Sequence, residues 1–369
     1  MKKLTFAALF LLFSNLNMSF SQANDVFINP YWYFYSNNHL DAVSSGMGTA
    51  GVASVGSLSS VFINPASMDI EGKYQAGIQY TYKTNQVWLP QLGIDDIYLK
   101  QNIFSGSIGI AYRFNKHFQA GLMYSNPTSM ALNIGEIIMT NEFGQEIGRY
   151  DADDRYENHS FSIPLVYNVE KLRLGLTLSY NMHRRKFNYD TDGTIGKFDK
   201  FNIQGGIIVQ PVRELSVGVS FKPESNGEVQ YSSDRFPYIQ SDDAVLPMEF
   251  TAGLEYKLPN NLLRFAGDYS YVNGSVLKGQ KDQHRVHFGL EYFVNKNWKV
   301  RTGFFTSPDP RDLSTNYLNP QDSYDQIFLT LGATLNIKNT TVSLAVMDSH
   351  ISSGILKYTF INAGLTLNY

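Results

Sequence analysis

Side chains that could take a proton, bind a metal or attack an electrophile are scattered along this chain. Its 369 residues include seven His and no Cys. Thiol chemistry, disulfides and a lipid-modified cysteine are thereby excluded. His284 and His287 stand three apart, which on a strand sends them to opposite faces and spoils a metal pair. No Gly-x-Ser-x-Gly elbow supplies an activated nucleophile. Asp151, Asp153 and Asp154, with Asp190, Asp192, Asp242 and Asp243, fall in polar stretches and read as solvated carboxylates before calcium ligands. The expectation is no enzyme, no cofactor and no metal. What remains is recognition. Arg173, Arg213, Glu255, Arg264, Asp268, His287, Glu291 and Arg301 share one side of an alternating pattern with Met123, Val166, Ile208, Phe293, Phe305 and Phe328. Mixed charge beside large apolar groups suits an amphipathic cargo, or a charged network that is structural because buried charges need partners.

The elements that must position these residues are strands. Between residues 74 and 369 the chain reads as about fourteen stretches of period two. In 172–182, Leu172, Leu174, Leu176, Leu178, Tyr180 and Met182 take one side, and Arg173, Gly175, Thr177, Ser179 and Asn181 take the other. No helix keeps those sets apart. A soluble sandwich gives the same period with its apolar face inward, so periodicity alone leaves the direction open. The links select a barrel. Tight ones fall near 115–117, 168–171, 211–214, 258–261, 295–297 and 337–339, and long ones near 83–102, 133–158, 183–199, 222–246, 272–282, 307–324 and 348–356. Short and long alternate without a slip, as in outer-membrane barrels with periplasmic turns and external loops. An even strand count then places both barrel ends in the periplasm, with Leu174, Leu176 and Leu178 toward lipid and Arg173, Thr177 and Ser179 toward the lumen.

Composition agrees. There are 25 Phe and 24 Tyr, and many cluster near strand ends, including Tyr80, Tyr82, Tyr112, Phe114, Tyr256, Tyr292, Phe293 and Trp298, where amphipathic rings suit a membrane interface. A formal charge of −3 argues against nucleic acid as a partner. Lys2 and Lys3, the apolar run 4–13 and the small residues Ser19 and Ser21 read as a secretory signal over 1–21. The expected partners are outer-membrane lipid and lipopolysaccharide and a hydrophobic cargo; the expected state is a monomer.

Residues 22–72 break the barrel rhythm. Gly46, Met47, Gly48, Thr49, Ala50 and Gly51, followed by Asn64, Pro65 and Ala66, resemble the hatch signature of the long-chain fatty-acid transporter (FadL) family, in which a Gly-Met-Gly-Gly-Ala run leads to an Asn-Pro-Ala turn before the first strand. Similarity continues in Leu246-Pro247-Met248, Gly289-Leu290-Glu291-Tyr292 and 298–304. Thr49 departs from the pattern by standing where the family has a second consecutive Gly. The resemblance implies an all-β, transmembrane antiparallel barrel of 14 strands over 73–369, plugged by an N-terminal hatch over 22–72, that passes hydrophobic molecules to the membrane. Physically, Gly46, Gly48 and Gly51 let a backbone bend within a narrow lumen, and Met47, Val52, Val61 and Phe62 favour a packed insert. The Val-Phe-Ile-Asn-Pro of 61–65 also stands at 26–30, ahead of the aromatic tract 31–35.

Asn126 and Pro127 interrupt the third strand, and Pro164 stands in the fourth; Pro lacks the ladder donor and marks a bulge, an end or a break. The resemblance implies lateral exit of cargo at such a defect. The function expected first is passive uptake of fatty-acid-like compounds past the hatch. The alternatives are a FadL-like component of a type IX protein secretion system, which the resemblance implies would have secretion proteins as partners, and a general porin.

Overall fold

Alternate residues of a strand point to opposite faces, so closing a sheet on itself creates one inward and one outward set. The computed structural model describes residues 38–89, 94–100, 105–140, 146–189, 192–233, 240–277, 279–312, 325–352 and 356–369. In it fourteen antiparallel strands close into a barrel. They are β1 (Tyr74–Leu89), β2 (Ile94–Lys100 and Ser105–Arg113), β3 (Phe118–Thr140), β4 (Glu146–Val169), β5 (Leu172–Tyr189), β6 (Asp192–Val212) and β7 (Leu215–Lys222 and Ser225–Ser233). The second half holds β8 (Gln240–Leu246 and Glu249–Lys257), β9 (Leu263–Val272), β10 (Gln283–Phe293), β11 (Trp298–Ser307), β12 (Gln326–Ile337), β13 (Thr340–Asp348) and β14 (Leu356–Asn368). Neighbours in sequence pair throughout, and β1 meets β14 from Gln75↔Asn368 to Val87↔Leu356, which closes the ring.

The direction that periodicity left open is decided by burial. Leu174, Leu176 and Leu178 lie on the outer face, with Ile110, Leu122 and Leu331 more than half exposed there. Gln75, Gln79, Thr81, Ser107, Thr177 and Asn181 are buried inside. An apolar outside around a polar inside reverses the soluble arrangement and is stable only against lipid. Tyr74, Phe114, Tyr167, Tyr256, Tyr292 and Trp298 are exposed near the short-turn end, while Tyr82, Phe161 and Phe201 are exposed toward the other.

The tight hairpins have local causes. Asn115 Oδ1 accepts from the amides of His117 at 2.8 Å and Phe118 at 2.9 Å. Asn295 Oδ1 does the same for Asn297 and Trp298, each at 2.9 Å. Both are Asx turns, which stand in for backbone hydrogen bonding at a reversal. Arg213, expected to face the lumen, is instead exposed at the β6–β7 turn, because strand parity ends where the ladder does.

Most of the expected long loops are strand. β3 and β4 pair out to Thr140↔Glu146, and β5 and β6 out to Tyr189↔Asp192. β7 and β8 likewise pair between 225 and 246. Beyond the lipid zone a hairpin needs no apolar face, so paired strands there carry no period-two signal and read as loop. The signal segment 1–21, the rest of 22–37, the first Val-Phe-Ile-Asn-Pro copy and the aromatic tract 31–35 lie outside the described residues.

Candidate functional site

Residues 38–72 pack against inward-facing residues of the strands, and their local structure is built from short caps. Asp41 caps α1 (Ala42–Ser45): its Oδ2 accepts from the Ser44 amide at 2.9 Å, and its Oδ1 accepts from Ser59 Oγ at 2.7 Å. Two 3-10 turns follow, Leu58–Phe62 and Pro65–Ser67. Asn64 caps the second, accepting from the Ala66 amide at 2.9 Å, and its Nδ2 donates to the Val52 carbonyl at 2.6 Å. The same Nδ2 reaches the carbonyls of Val219 at 3.2 Å and Ile207 at 3.4 Å. The Asn-Pro-Ala turn is thereby held against the β6–β7 ladder, where Ile207 and Val219 are partners.

The segment packs as well as bonds. Leu58, Val61, Met68 and Ile70 form one buried apolar cluster with Ala111, Met123 and Val166 of the wall, and Met47 packs with Ala50 and Ala266. Pro65 and Ala66 are buried beside β5. Gly48 has φ +64 and sits where a Cβ would overlap the Phe288 and Phe304 carbonyls. Thr49, also at positive φ (56), pairs its hydroxyl with His287 Nδ1 at 2.6 Å. A β-branched residue is strained there, and that bond offsets part of the cost.

Wall glycines form a set that the sequence reading missed. A Cβ at Gly175 would overlap Pro65 and Ala66; at Gly206, Asn64; at Gly218, Val52; at Gly289 and Gly303, Met47 or Gly48; and at Gly332, Gly46. Five strands each present a bare backbone to the Gly-Met-Gly or Asn-Pro-Ala motif, and a sixth presents one to Val52 between them. The signal was available, since Gly175 and Gly206 face each other across one ladder and Gly289 and Gly303 across another.

Charged groups complete the contact. Arg264 bridges Glu255 at 3.3 Å and Glu291 at 3.0 Å, and Arg301 meets Glu291 at 2.6 Å. Their side chains are at most 10% exposed. Arg301 Nη1 also donates to Thr334 at 2.7 Å, and Ser54 Oγ donates to Glu255. Each carboxylate here has a cationic partner, which is the condition for retaining buried charge. Asp268 accepts from the amides of Gly51 at 2.6 Å and Val52 at 2.9 Å. Arg173 donates through Nε to the Ala66 carbonyl at 3.0 Å and lies 3.5 Å from Asp69, which also pairs with Arg113 at 2.9 Å. Arg173, Arg264 and Arg301 therefore hold wall or segment groups.

The remaining expected residues are spread around the wall. Ile208 is buried on the inner face of β6. Phe305 and Phe328 stack at 4.6 Å on the β11–β12 wall, and His39 stands 5.5 Å from Phe305. Phe293 is half-buried near the short-turn end, with Lys299 Nζ 5.3 Å from its ring. Asn126 and Pro127 form a bulge: the β3–β4 register shifts between Ser125 and Thr128, and the β2–β3 ladder ends at Ser107↔Ser125. Asn38 is bonded to it. Its amide donates to the Pro127 carbonyl at 3.0 Å, and its Nδ2 donates to the Asn126 carbonyl at 2.6 Å. Lys83 Nζ donates to the Ser129 carbonyl at 2.7 Å. Pro164 is buried, and the β3–β4 pairs opposite it and Ile163 are missing although the register is kept.

Between the segment and the β3–β9 wall lies a cavity of about 310 Å³. Its lining includes Leu40, Val61, Phe62 and Ile63 on the segment side and mainly hydroxyl and amide side chains on the wall side, and it reaches Ser125, Pro127 and Thr128 at the bulge.

No family model matches the chain. It is 23% identical over 290 residues to the long-chain fatty acid transport protein of Escherichia coli O6:H1, covering 75% of this chain and 58% of that one. The chain thus spans less than two thirds of that relative's length. Among solved structures, the Pseudomonas putida toluene transporter TodX matches with TM-score 0.63 at 13% identity, over 88% of this chain and 96% of its own. The Ralstonia pickettii toluene transporter TbuX matches with TM-score 0.64 at 16% identity, over 90% and 98%. The chain thus shares the barrel fold of these outer-membrane transporters, and its sequence is similar to that of the fatty-acid transport protein.

Proposed function

We propose that the protein takes up hydrophobic compounds by passive diffusion, with residues 22–72 acting as a plug, the turn end facing the periplasm, and cargo leaving sideways into the bilayer at Asn126–Pro127. The observation that carries this reading is the position of the cavity. It is bounded below by a segment bonded to strands around the ring, and it reaches the bulge where the β2–β3 ladder stops and the β3–β4 register shifts. Straight passage would require breaking the Asp268, Asn64 and Arg173 contacts together; sideways passage requires releasing the Asn38 bonds at a bulge that no ladder pair closes. The names of the relatives, a fatty-acid transporter and toluene transporters, support the hydrophobic class of cargo. Lipid and lipopolysaccharide are the partners such a route implies.

The test is uptake of a labelled long-chain compound by cells expressing Pro127→Thr at matched levels of folded barrel. A restored ladder should lower uptake severalfold, while a bulky change near Phe293, away from the cavity, should matter less. Equal uptake by Pro127→Thr and the parent would reject exit at this place. The porin reading draws on the polar lining of the cavity, and high conductance for small hydrophilic solutes would favour it.

A further inference from the structure

Ligand cavities in proteins are usually lined by apolar groups with a few polar ones. This cavity is two-faced instead. Across from Leu40, Phe62 and Ile63, the β3–β6 residues that line the cavity carry buried side-chain atoms that no group of the described residues satisfies: Thr128 Oγ1, Asn158 Oδ1, Thr177 Oγ1, His183 Nε2 and Asn202 Oδ1. Asn158 and Thr177 are each 6% exposed and His183 is 3% exposed. Buried polar atoms are normally paired, because leaving one unmade costs its full desolvation. Five on one wall mark a surface made for a polar guest.

Their partners elsewhere fix them in place. His183 Nδ1 shares a hydrogen bond with Tyr156 Oη at 2.7 Å, which aligns the ring, and Asn158 Nδ2 donates to Asn181 Oδ1 at 3.3 Å. Thr177 and His183 lie on the same face of β5, six residues apart, or about 20 Å at strand rise. Charge is not what this wall offers. The ammonium lining it, Lys222, lies 3.3 Å from Glu249, and Asp268 is engaged by the Gly51 and Val52 amides. A carboxylate head would find no uncommitted cation among the described lining residues.

We infer that the cavity selects a neutral amphiphile bearing hydroxyl, ester or amide groups, whose polar edge lies on β3–β6 and whose apolar edge lies on Phe62 and Ile63, in preference to an anionic fatty acid. This rests on the uptake reading and narrows its cargo. The test is equilibrium dialysis of the full barrel held in amphipol, with labelled monolaurin, laurate and dodecane, which share one chain length. Monolaurin should bind at least about tenfold more tightly than laurate at pH 7.5, the factor expected from about two hydrogen bonds. The double variant N158L/T177V should lose that preference while its heat-modifiable migration and its dodecane binding stay as in the parent. N202V, at a half-buried site, should lower the preference by a smaller factor if the double variant does not fold. Equal or tighter binding of laurate by the parent, or an unchanged preference in folded variants, would overturn the inference and leave the uptake reading standing. Binding of none of the three probes would reject both.

Discussion

At the scale of single residues, His39 shows what the lumen does to an ionisable group. Burial, with Lys83, Arg285 and His287 nearby, pushes its imidazole down to about 3. It is held neutral, in edge contact with Phe360 at 5.3 Å, and its carbonyl accepts from Asn362 Nδ2 at 2.6 Å. Because the seated pKa lies below the free value, the seated form has its full stability above pH about 6.5 and loses it as pH falls toward 3. The loss is up to roughly 1.4 kcal/mol per pH unit. Planar-bilayer conductance should therefore rise between pH 7.5 and 5 as the segment loosens, and His39→Leu should flatten that response. The same rise in the variant would remove His39 as its cause. Thr49 is legible in sequence only as a departure from a Gly pattern. Its bond to His287 comes from a strand that the sequence places more than two hundred residues away.

Among the elements, the wall glycines and the bulge carry opposite messages. Glycine weakens a strand, so six inward glycines facing one segment need a compensating contact, and the buried motif supplies it. Gly218→Val would force a side chain into the Val52 carbonyl while leaving the β7 ladder with a better strand former. The barrel should still fold, by heat-modifiable migration, and its conductance should rise because the segment is displaced. Unchanged conductance in a folded Gly218→Val barrel would show that the segment does not depend on that seat. Pro127 acts the other way: it weakens pairing, and Asn38 fastens the inner segment to that weakened place. The period-two pattern identified both Pro127 and Pro164, since a missing donor is a property of the residue. It did not reveal that Asn38 would meet Pro127, because that contact depends on how the segment is threaded.

For the molecule as a whole, deleting residues 24–60 tests whether barrel and segment are separable. Strands β1–β14 close through their own ladders, so the truncated chain should still form a heat-modifiable barrel, with permeability to small hydrophilic solutes raised severalfold. Loss of the barrel would mean that the inner contacts are needed for closure. What the sequence by itself determined is set by local repetition: strands follow from alternation, hairpin ends from Asn115 and Asn295, and strand number from the alternation of link lengths. The face of Leu176 or Thr177 follows from parity once the barrel is accepted. The tertiary structure alone decided the rest. It showed that the stretches near 133–158 and 183–199 are largely paired strand, because above the lipid a ladder leaves no apolar period to read. It returned Arg213 to the surface, where parity has no ladder to act through. It also gathered Thr128, Asn158, Thr177, His183 and Asn202 onto one cavity wall, a grouping produced by inter-strand register, which no run of neighbouring residues encodes.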